Sequence, residues 1–293
     1  MKESKRITVI GLGKMGFVLA SLLLKNQYRV TVWNRTPEKA KDLVANGATL
    51  AGSVEDAISA SDVVVICVFD SESVNNVINT PGVLAKLRGN MLINVTTGSP
   101  SEADQLANLL NLHNIQYLDG AILAVPEQMA QADTTICVSG SMSAFETHAD
   151  VLKAFGGNIK YLGVKPSAAS AFDQAILYYM YGSFIGFFEG VLIAEKAGIE
   201  VSLLGATIKE IGPGISQFIK YEADVIQSEN FEVTQSAMAI NINAVKRMHA
   251  TAVDLNINLR FPELMDHYFT LAEKKGLRNH ELAALIKIFR LKD

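Results

Sequence analysis

The spacing of hydrophobic and polar positions changes along this chain, and the change divides it. Up to about residue 162, short apolar or alternating runs recur between stretches of helical period. Residues 7–10, 29–33, 63–68, 91–95, 117–118, 134–138 and 159–162 read as strands. Residues 17–24 and 101–113 read as helices between them. This alternation predicts an α/β domain with a doubly wound, mostly parallel sheet. In such sheets ligands bind outside the carboxyl ends of the strands. That rule puts Val68, Phe69, Thr96 and Thr97, and the segment 119–126, on the ligand side.

Strand character stops after about Gly163. Pro166 and Ser167 read as a helix start, and a long apolar helix follows over 168–196, ending near Gly198. It is apolar all round, so it is expected to be buried all round. Gly182, Gly186 and Gly190 recur every four residues and share a face. Each costs a helix interior about 1 kcal/mol relative to alanine, which suggests close packing against the first domain or another subunit. Amphipathic helices are expected over 201–210, 214–228, 234–255, 262–275 and 281–291. The predicted organisation is an α/β domain over 1–163, then an all-α domain over 164–293 that begins with a long interdomain helix.

The chemistry starts with Gly11-Leu12-Gly13-Lys14-Met15-Gly16, which lies between the first apolar run and the first helix. In that setting Gly11 makes the tight turn, Gly13 lets the backbone approach a pyrophosphate, and Gly16 lets helix and strand pack closely. The helix N-terminus then faces the phosphates. The second strand ends without the carboxylate that holds the ribose 2′-hydroxyl in NAD-selective sites. It offers instead Asn34, Arg35, Thr36 and, a turn later, Lys39. A guanidinium and an ammonium attract a 2′-phosphate, so the expected cofactor is NADP(H). Arg35 and Lys39 also read, alternatively, as solvated surface charges.

Bulk properties narrow the remaining classes. A chain of 293 residues can bury a large core. The net charge of −4, with no long basic run, makes nucleic acid an unexpected partner. Fifteen residues between Asp173 and Glu189 carry no charge, fewer than the roughly 18–20 of a membrane span. Cys67 and Cys137 lie in apolar β-like runs and read as buried free thiols of a reducing cytoplasm. Met1–Arg6 has no long apolar core of a signal peptide. The five histidines are scattered, with no metal-ligand spacing, and no G-x-S-x-G element suggests a hydrolase.

Four stretches carry a resemblance: the glycine motif with Trp33-Asn34-Arg35-Thr36-Pro37-Glu38-Lys39; Asn94-Val95-Thr96-Thr97-Gly98-Ser99-Pro100; Asp119-Gly120-Ala121-Ile122-Leu123-Ala124-Val125-Pro126; and the segment from Phe261-Pro262-Glu263-Leu264 to Leu282-Ala283-Ala284-Leu285-Ile286. With these the chain resembles the NADPH-dependent imine reductases (reductive aminase-like) of the β-hydroxyacid dehydrogenase and 6-phosphogluconate dehydrogenase superfamily. Hydroxyacid dehydrogenases of that superfamily carry a catalytic lysine early in the long helix. Here no lysine lies between Lys165 and Lys196, and Asp173 occupies the position that imine reductases fill with Asp or Tyr.

A carboxylate attracts an iminium that a lysine would repel, by about 4 kcal/mol at 4 Å and an effective dielectric of 20. It can also hold or supply the imine proton. Asp173 otherwise reads as a helix-starting carboxylate. The resemblance further implies Tyr181 as an aromatic hydroxyl two turns on, with Tyr178 and Met180 as weaker pocket candidates; Ile122, Leu123 and Val125 read as apolar walls. Tyr178–Tyr181 read equally as core or interface. Thr97 stands where related reductive aminases have Asn, and Lys165 stands where the family has an acid. Asp119 reads as a strand-end or loop-holding group.

The resemblance implies a homodimer whose helical domains exchange and complete each other's sites, with His249 on a helix brought by the partner. An Asp at this position leans toward (R)-amine products. The expected activity is NADPH-dependent reduction of an imine or iminium substrate to an amine. The alternatives are a hydroxyacid-type dehydrogenase or carbonyl reductase with an altered acid, and a non-catalytic dinucleotide-binding protein.

Overall fold

The structure, a computed structural model, describes residues 5–291. Met1–Ser4, on which the signal-peptide expectation drew, and the last two residues of the predicted 164–293 domain lie outside the described residues. The first half alternates strands and helices: Arg6–Ile10 (β1), Lys14–Lys25 (α1), Arg29–Trp33 (β2), Lys41–Ala45 (α2), Thr49–Leu50 (β3), Val54–Ser59 (α3), Val63–Ile66 (β4), Ser71–Ile78 (α4) and Val83–Leu87 (α5). Met91–Asn94 (β5), Pro100–Leu112 (α6), Gln116–Ile122 (β6), Thr135–Gly140 (β7), Met142–Lys153 (α7) and Asn158–Tyr161 (β8) follow. The helices of the second half are Ala168–Lys196 (α8), Val201–Ser228 (α9), Met238–Asp254 (α10), Arg260–Lys274 (α11) and Ile286–Phe289 (α12). Two compact units, Met1–Tyr178 and Tyr179–Asp293, divide within α8.

In the first unit the strands form one sheet in the order β3-β2-β1-β4-β5-β6-β7-β8. Every neighbouring pair is parallel except β6 with β7. The central strands are buried on both faces, which is why they read as continuous apolar runs. Their period of two splits the core. Val9, Val63, Val65 and Ile93 face one cluster with Leu19 and Phe155, while Ile10, Val64, Ile66 and Leu92 face another with Ile78 and Leu110.

Several element bounds differ from the sequence expectation. β6 runs on through Asp119 and Gly120, both poor strand formers, because ladders to β5 and to β7 hold it on both sides. β4 and β5 end earlier than expected, leaving Cys67, Val68 and Val95 in the connections at the carboxyl edge. Cys67 is therefore half-buried beside that edge, whereas Cys137 is buried in β7 as expected. Burial pushes the Cys67 thiol up to about 11. The exposed β3 carries only two residues and had no apolar signal.

In the second unit α9 continues through Pro213, where two shorter helices were expected. Proline removes one helical hydrogen bond, but its fixed φ suits the helix. α10 starts four residues later than expected because the chain before it is held by Glu281. That buried carboxylate accepts the backbone N–H of Thr234 at 2.7 Å, Gln235 at 3.0 Å and Ser236 at 2.5 Å. Instead of one terminal helix there is a 3-10 turn, Leu282–Leu285, followed by α12. Val225, Phe231, Met238, Ile242, Ala272 and Ile288 form this unit's core.

α8 departs from the expected burial. Tyr178 is 83% exposed, and Tyr181, Phe184 and Phe188 are also exposed within the single chain. A methyl group at Gly182 or Gly190 would meet nothing within 4 Å, and one at Gly186 only the Phe261 ring at 3.8 Å. Among the described residues α8 is the one helix long and apolar enough to cross a membrane by length and composition. The fifteen-residue charge-free stretch is shorter than this helix of 29 residues, which runs on past Asp173 and Glu189 at its two ends.

Candidate functional site

The glycine turn is built as its spacing requires. Gly11 follows β1 with φ of +94°, and its N–H donates to the Trp33 carbonyl at 2.9 Å. A Cβ there would sit 2.2 Å from the Cys67 carbonyl oxygen. A Cβ at Gly16 would sit 2.0 Å from the Gly11 carbonyl oxygen, so only glycine lets α1 lie this close to β1. Gly13, the residue just before α1, is different: a Cβ there meets nothing within 4 Å. The space in front of the α1 N-terminus is open, as a pyrophosphate would need.

That opening is part of a cleft of about 560 Å³. Gly11, Gly13, Lys14, Met15 and Gly16 line its floor. Asn34, Arg35, Thr36 and Lys39 line the β2 side, and Val68 and Phe69 the β4 side. Arg35 and Lys39 are exposed and have no ion-pair partner among the described residues. Asn34 has a second task. Its Oδ1 accepts the Leu12 N–H at 2.9 Å and its Nδ2 donates to the Thr36 carbonyl at 3.0 Å, tying the glycine turn to the end of β2. Leu12 itself is buried and does not line the cleft. The glycine cradle and the partnerless cations fit a dinucleotide with a 2′-phosphate.

Thr96 is buried outside this cleft. Its Oγ1 accepts the Val68 N–H at 3.1 Å and couples the ends of β4 and β5. Thr97 is exposed and lines neither the cleft nor the polar cavity beside it. That cavity, of about 270 Å³, is bounded by α4, the end of β5, α6, Asp119 and Ser170. Ile122, the last residue of β6, and Leu123 just after it are half-buried, and Val125 is exposed.

Asp173 lies in the second turn of α8 and is 8% exposed. Its side chain makes no hydrogen bond and no ion pair among the described residues. Burial pushes its carboxyl above the ordinary aspartate range. A buried carboxyl without a cation can keep a proton or pair with an incoming cation. Tyr178 and Tyr181 follow on the same helix, and Tyr181 stands edge-on to Phe184 at 6.0 Å between ring centroids. His249 belongs to the second unit, in a groove with Glu263, Asp266 and His267. Lys165 is exposed in the connection before α8.

Sequence reasoning underread Asp119. It sits inside β6, 1% exposed, and is not at a strand end or in a loop. Its Oδ2 accepts the Ser170 N–H at 3.0 Å and the Ser170 hydroxyl at 2.5 Å, while its Oδ1 accepts the Tyr117 hydroxyl at 2.9 Å. Burial pushes it up to about 6 despite these donors. Ser139, directly opposite Asp119 on β7, was missed entirely. Its Oγ accepts the Ala169 N–H at 2.9 Å and donates to the Pro166 carbonyl at 2.6 Å. The available signal was two polar residues inside runs whose other members are buried.

Known proteins match the whole length. Residues 6–163 match the NAD binding domain of 6-phosphogluconate dehydrogenase, and residues 165–291 match the C-terminal domain of the NADPH-dependent reductive aminase-like proteins. An imine reductase from Myxococcus stipitatus in complex with NADP+ is 32% identical, with a TM-score of 0.91 over 97% of this chain and 100% of that one. A reductive aminase from Aspergillus terreus, in complex with an NADPH form, cyclohexanone and allyl amine, is 27% identical, with a TM-score of 0.87 over 98% and 100%. The NADPH-dependent reductive aminase of Aspergillus oryzae is 28% identical over 98% of each chain. The chain belongs to the imine reductase and reductive aminase family of oxidoreductases, built on the 6-phosphogluconate dehydrogenase type of NAD binding domain.

Proposed function

We propose that this protein reduces C=N bonds with NADPH at a site centred on Asp173. The observation that carries the reading is a buried carboxyl with no cationic or hydrogen-bonding partner among the described residues, in a helix with no lysine between Lys165 and Lys196. The reaction converts an imine, NADPH and a proton into an amine and NADP+. The nicotinamide supplies the hydride. The pyrophosphate is held at the α1 N-terminus in front of Gly13, and Arg35, Thr36 and Lys39 take the 2′-phosphate. Val68 and Phe69 would border the nicotinamide side, with Thr96 behind them holding the Val68 N–H, whereas Thr97 lies outside the cleft.

Asp173 pairs with the iminium nitrogen or gives it the proton that makes the carbon electrophilic. Tyr181 donates a hydrogen bond to the substrate nitrogen or to Asp173, and Tyr178, Ile122, Leu123 and Val125 wall the substrate. The reading covers cyclic imines and, by likeness to the ketone- and amine-bound relative, reductive amination of ketones. An aspartate here leans toward (R)-amine products.

The assembly follows from the uncovered apolar faces. Exposed Tyr181, Phe184 and Phe188 on α8 and exposed Leu203, Ile211, Ile215 and Ile219 on α9 need cover in water. A second copy supplies it, in a homodimer whose helical domains exchange, and the partner brings its α10 with His249. The domain division is 1–163 and 164–293. The same cover accounts for the apolar α8 without a membrane, and two free cysteines and a net charge of −4 favour the cytoplasm without nucleic acid as partner.

The test is NADPH oxidation with a cyclic imine and, in parallel, with small aldehyde acids. Turnover of the imine alone supports the reading. Turnover of the aldehyde acids alone points to a hydroxyacid-type dehydrogenase, and turnover of neither to a dinucleotide-binding protein without this chemistry.

A further inference from the structure

The cleft that fits the dinucleotide holds more positive charge than a 2′-phosphate needs. Among the described residues that line it are three cations, Lys14, Arg35 and Lys39, and no carboxylate. The whole chain has a net charge of −4, so this excess is local. Arg35 and Lys39 lie on the β2 side. Lys14 lies apart from them, on the floor, as the first residue of α1. It is exposed and makes no hydrogen bond or ion pair among the described residues. A lysine at that position works against its own helix. Aligned peptide dipoles leave partial positive charge at a helix N-terminus, so an acid there stabilises and a cation destabilises. α1 has no acid in its first turn, and Gly13 before it offers no side-chain cap. The N–H groups of Lys14, Met15 and Gly16 have no acceptor among the described residues. Other helices of this unit follow the rule. Ser53, Asp70 and Ser99 cap α3, α4 and α6, and each of these has a glutamate in its first turn.

We propose that Lys14 binds the pyrophosphate of the cofactor through its ammonium group, and that it does so at the expense of the stability of the cofactor-free protein. The proposal rests on NADP(H) as the cofactor of this cleft and assumes nothing about Asp173. A Cβ at Gly13 would meet nothing within 4 Å, so a phosphate can come up to the backbone beside Lys14. The bound anion then faces both the helix dipole and the ammonium, and it relieves the repulsion between them. Lys14 and Arg35 divide the work by phosphate. The 2′-phosphate belongs to NADPH alone, whereas the pyrophosphate is common to NADPH and NADH. Lys14 therefore adds affinity without choosing between the two cofactors, and Arg35 chooses.

The experiment measures Kd for NADPH and for NADH by calorimetry, and Tm of the cofactor-free protein, for wild type, Lys14→Gln, Lys14→Glu and Arg35→Ala. Glutamine has nearly the helix propensity of lysine and removes the charge. Lys14→Gln should weaken NADPH and NADH alike, by roughly 10-fold, the effect of losing one charge-assisted hydrogen bond. The loss should shrink as salt rises, because exposed charges are screened. The same variant should raise the cofactor-free Tm by about 1–3 °C. Lys14→Glu should raise it further and weaken both cofactors more. Arg35→Ala should separate the two cofactors, which Lys14→Gln should not. Unchanged affinities in Lys14→Gln would mark a solvated surface lysine and overturn the proposal. A loss confined to NADPH would overturn it too, since it would put Lys14 on the 2′-phosphate. A Tm that stays level or falls in both Lys14 variants would contradict the stability half of the claim. Neither readout uses an imine, so failure here is distinct from failure of C=N reduction at Asp173.

Discussion

Arg35 and Lys39 follow β2 as exposed cations with no ion-pair partner among the described residues, and no carboxylate occupies the position that would select the ribose hydroxyl. Hydrogen bonds to charged groups contribute about 1.5–3 kcal/mol each. Arg35→Ala should therefore lower kcat/KM with NADPH by roughly 10- to 100-fold. With NADH the change should be small, because NADH has no 2′-phosphate to lose. Equal losses with both cofactors would mean that Arg35 shapes the turn and does not read the phosphate. These residues were legible in the sequence because a glycine turn and a strand end have fixed places in this fold. Asn34 was legible only by position. Its job of tying Leu12 to Thr36 depends on the direction its amide points, which spacing does not give.

At the scale of elements, Glu281 shows how one buried carboxylate can replace a helix turn. Its three backbone N–H donors hold residues 234–236 in a bend next to the bridge between Ala237 and Glu281. Burial would raise its carboxyl, but the backbone donors outweigh that and hold it below the ordinary glutamate range. Glu281→Ala should destabilise the fold by roughly 3 kcal/mol, since it leaves buried donors unpaired. The pH dependence follows from the sign. The unfolded state takes up the Glu281 proton at a higher pH than the folded state does. The stabilisation is thus complete above the ordinary glutamate range, and it is lost as pH falls through the depressed folded value. The difference in melting temperature between wild type and Glu281→Ala should be full at pH 7 and shrink below about pH 4. A difference that is constant across that range would contradict this account.

The same scale shows why some elements were readable and others not. The strands buried on both faces carry their signal in every residue. The two-residue β3 is too short to show a period, while β6 continues through Asp119 and Gly120 under its ladder to β7 and α9 passes through Pro213. Local propensity points the other way at Asp119, Gly120 and Pro213.

At the scale of the whole molecule, α8 and α9 leave apolar side chains exposed, which the proposed dimer would cover. A chain with this much exposed apolar surface should be dimeric at micromolar concentration, and light scattering should give twice the mass of the 293-residue chain. A monomer with full activity would count against both the dimer and the shared site. In the mechanism we propose, the activity turns on Asp173, a buried carboxyl with no hydrogen-bond or ion-pair partner among the described residues. The most direct measurement is kcat/KM for a cyclic imine with NADPH, for wild type and for Asp173→Asn, alongside NADPH affinity. Asp173→Asn should lose roughly one to three orders of magnitude in kcat/KM, within and below the range of general acid–base catalysis, with NADPH binding unchanged. A folded Asp173→Asn enzyme that binds NADPH and reduces the imine at the wild-type rate would remove Asp173 from the mechanism.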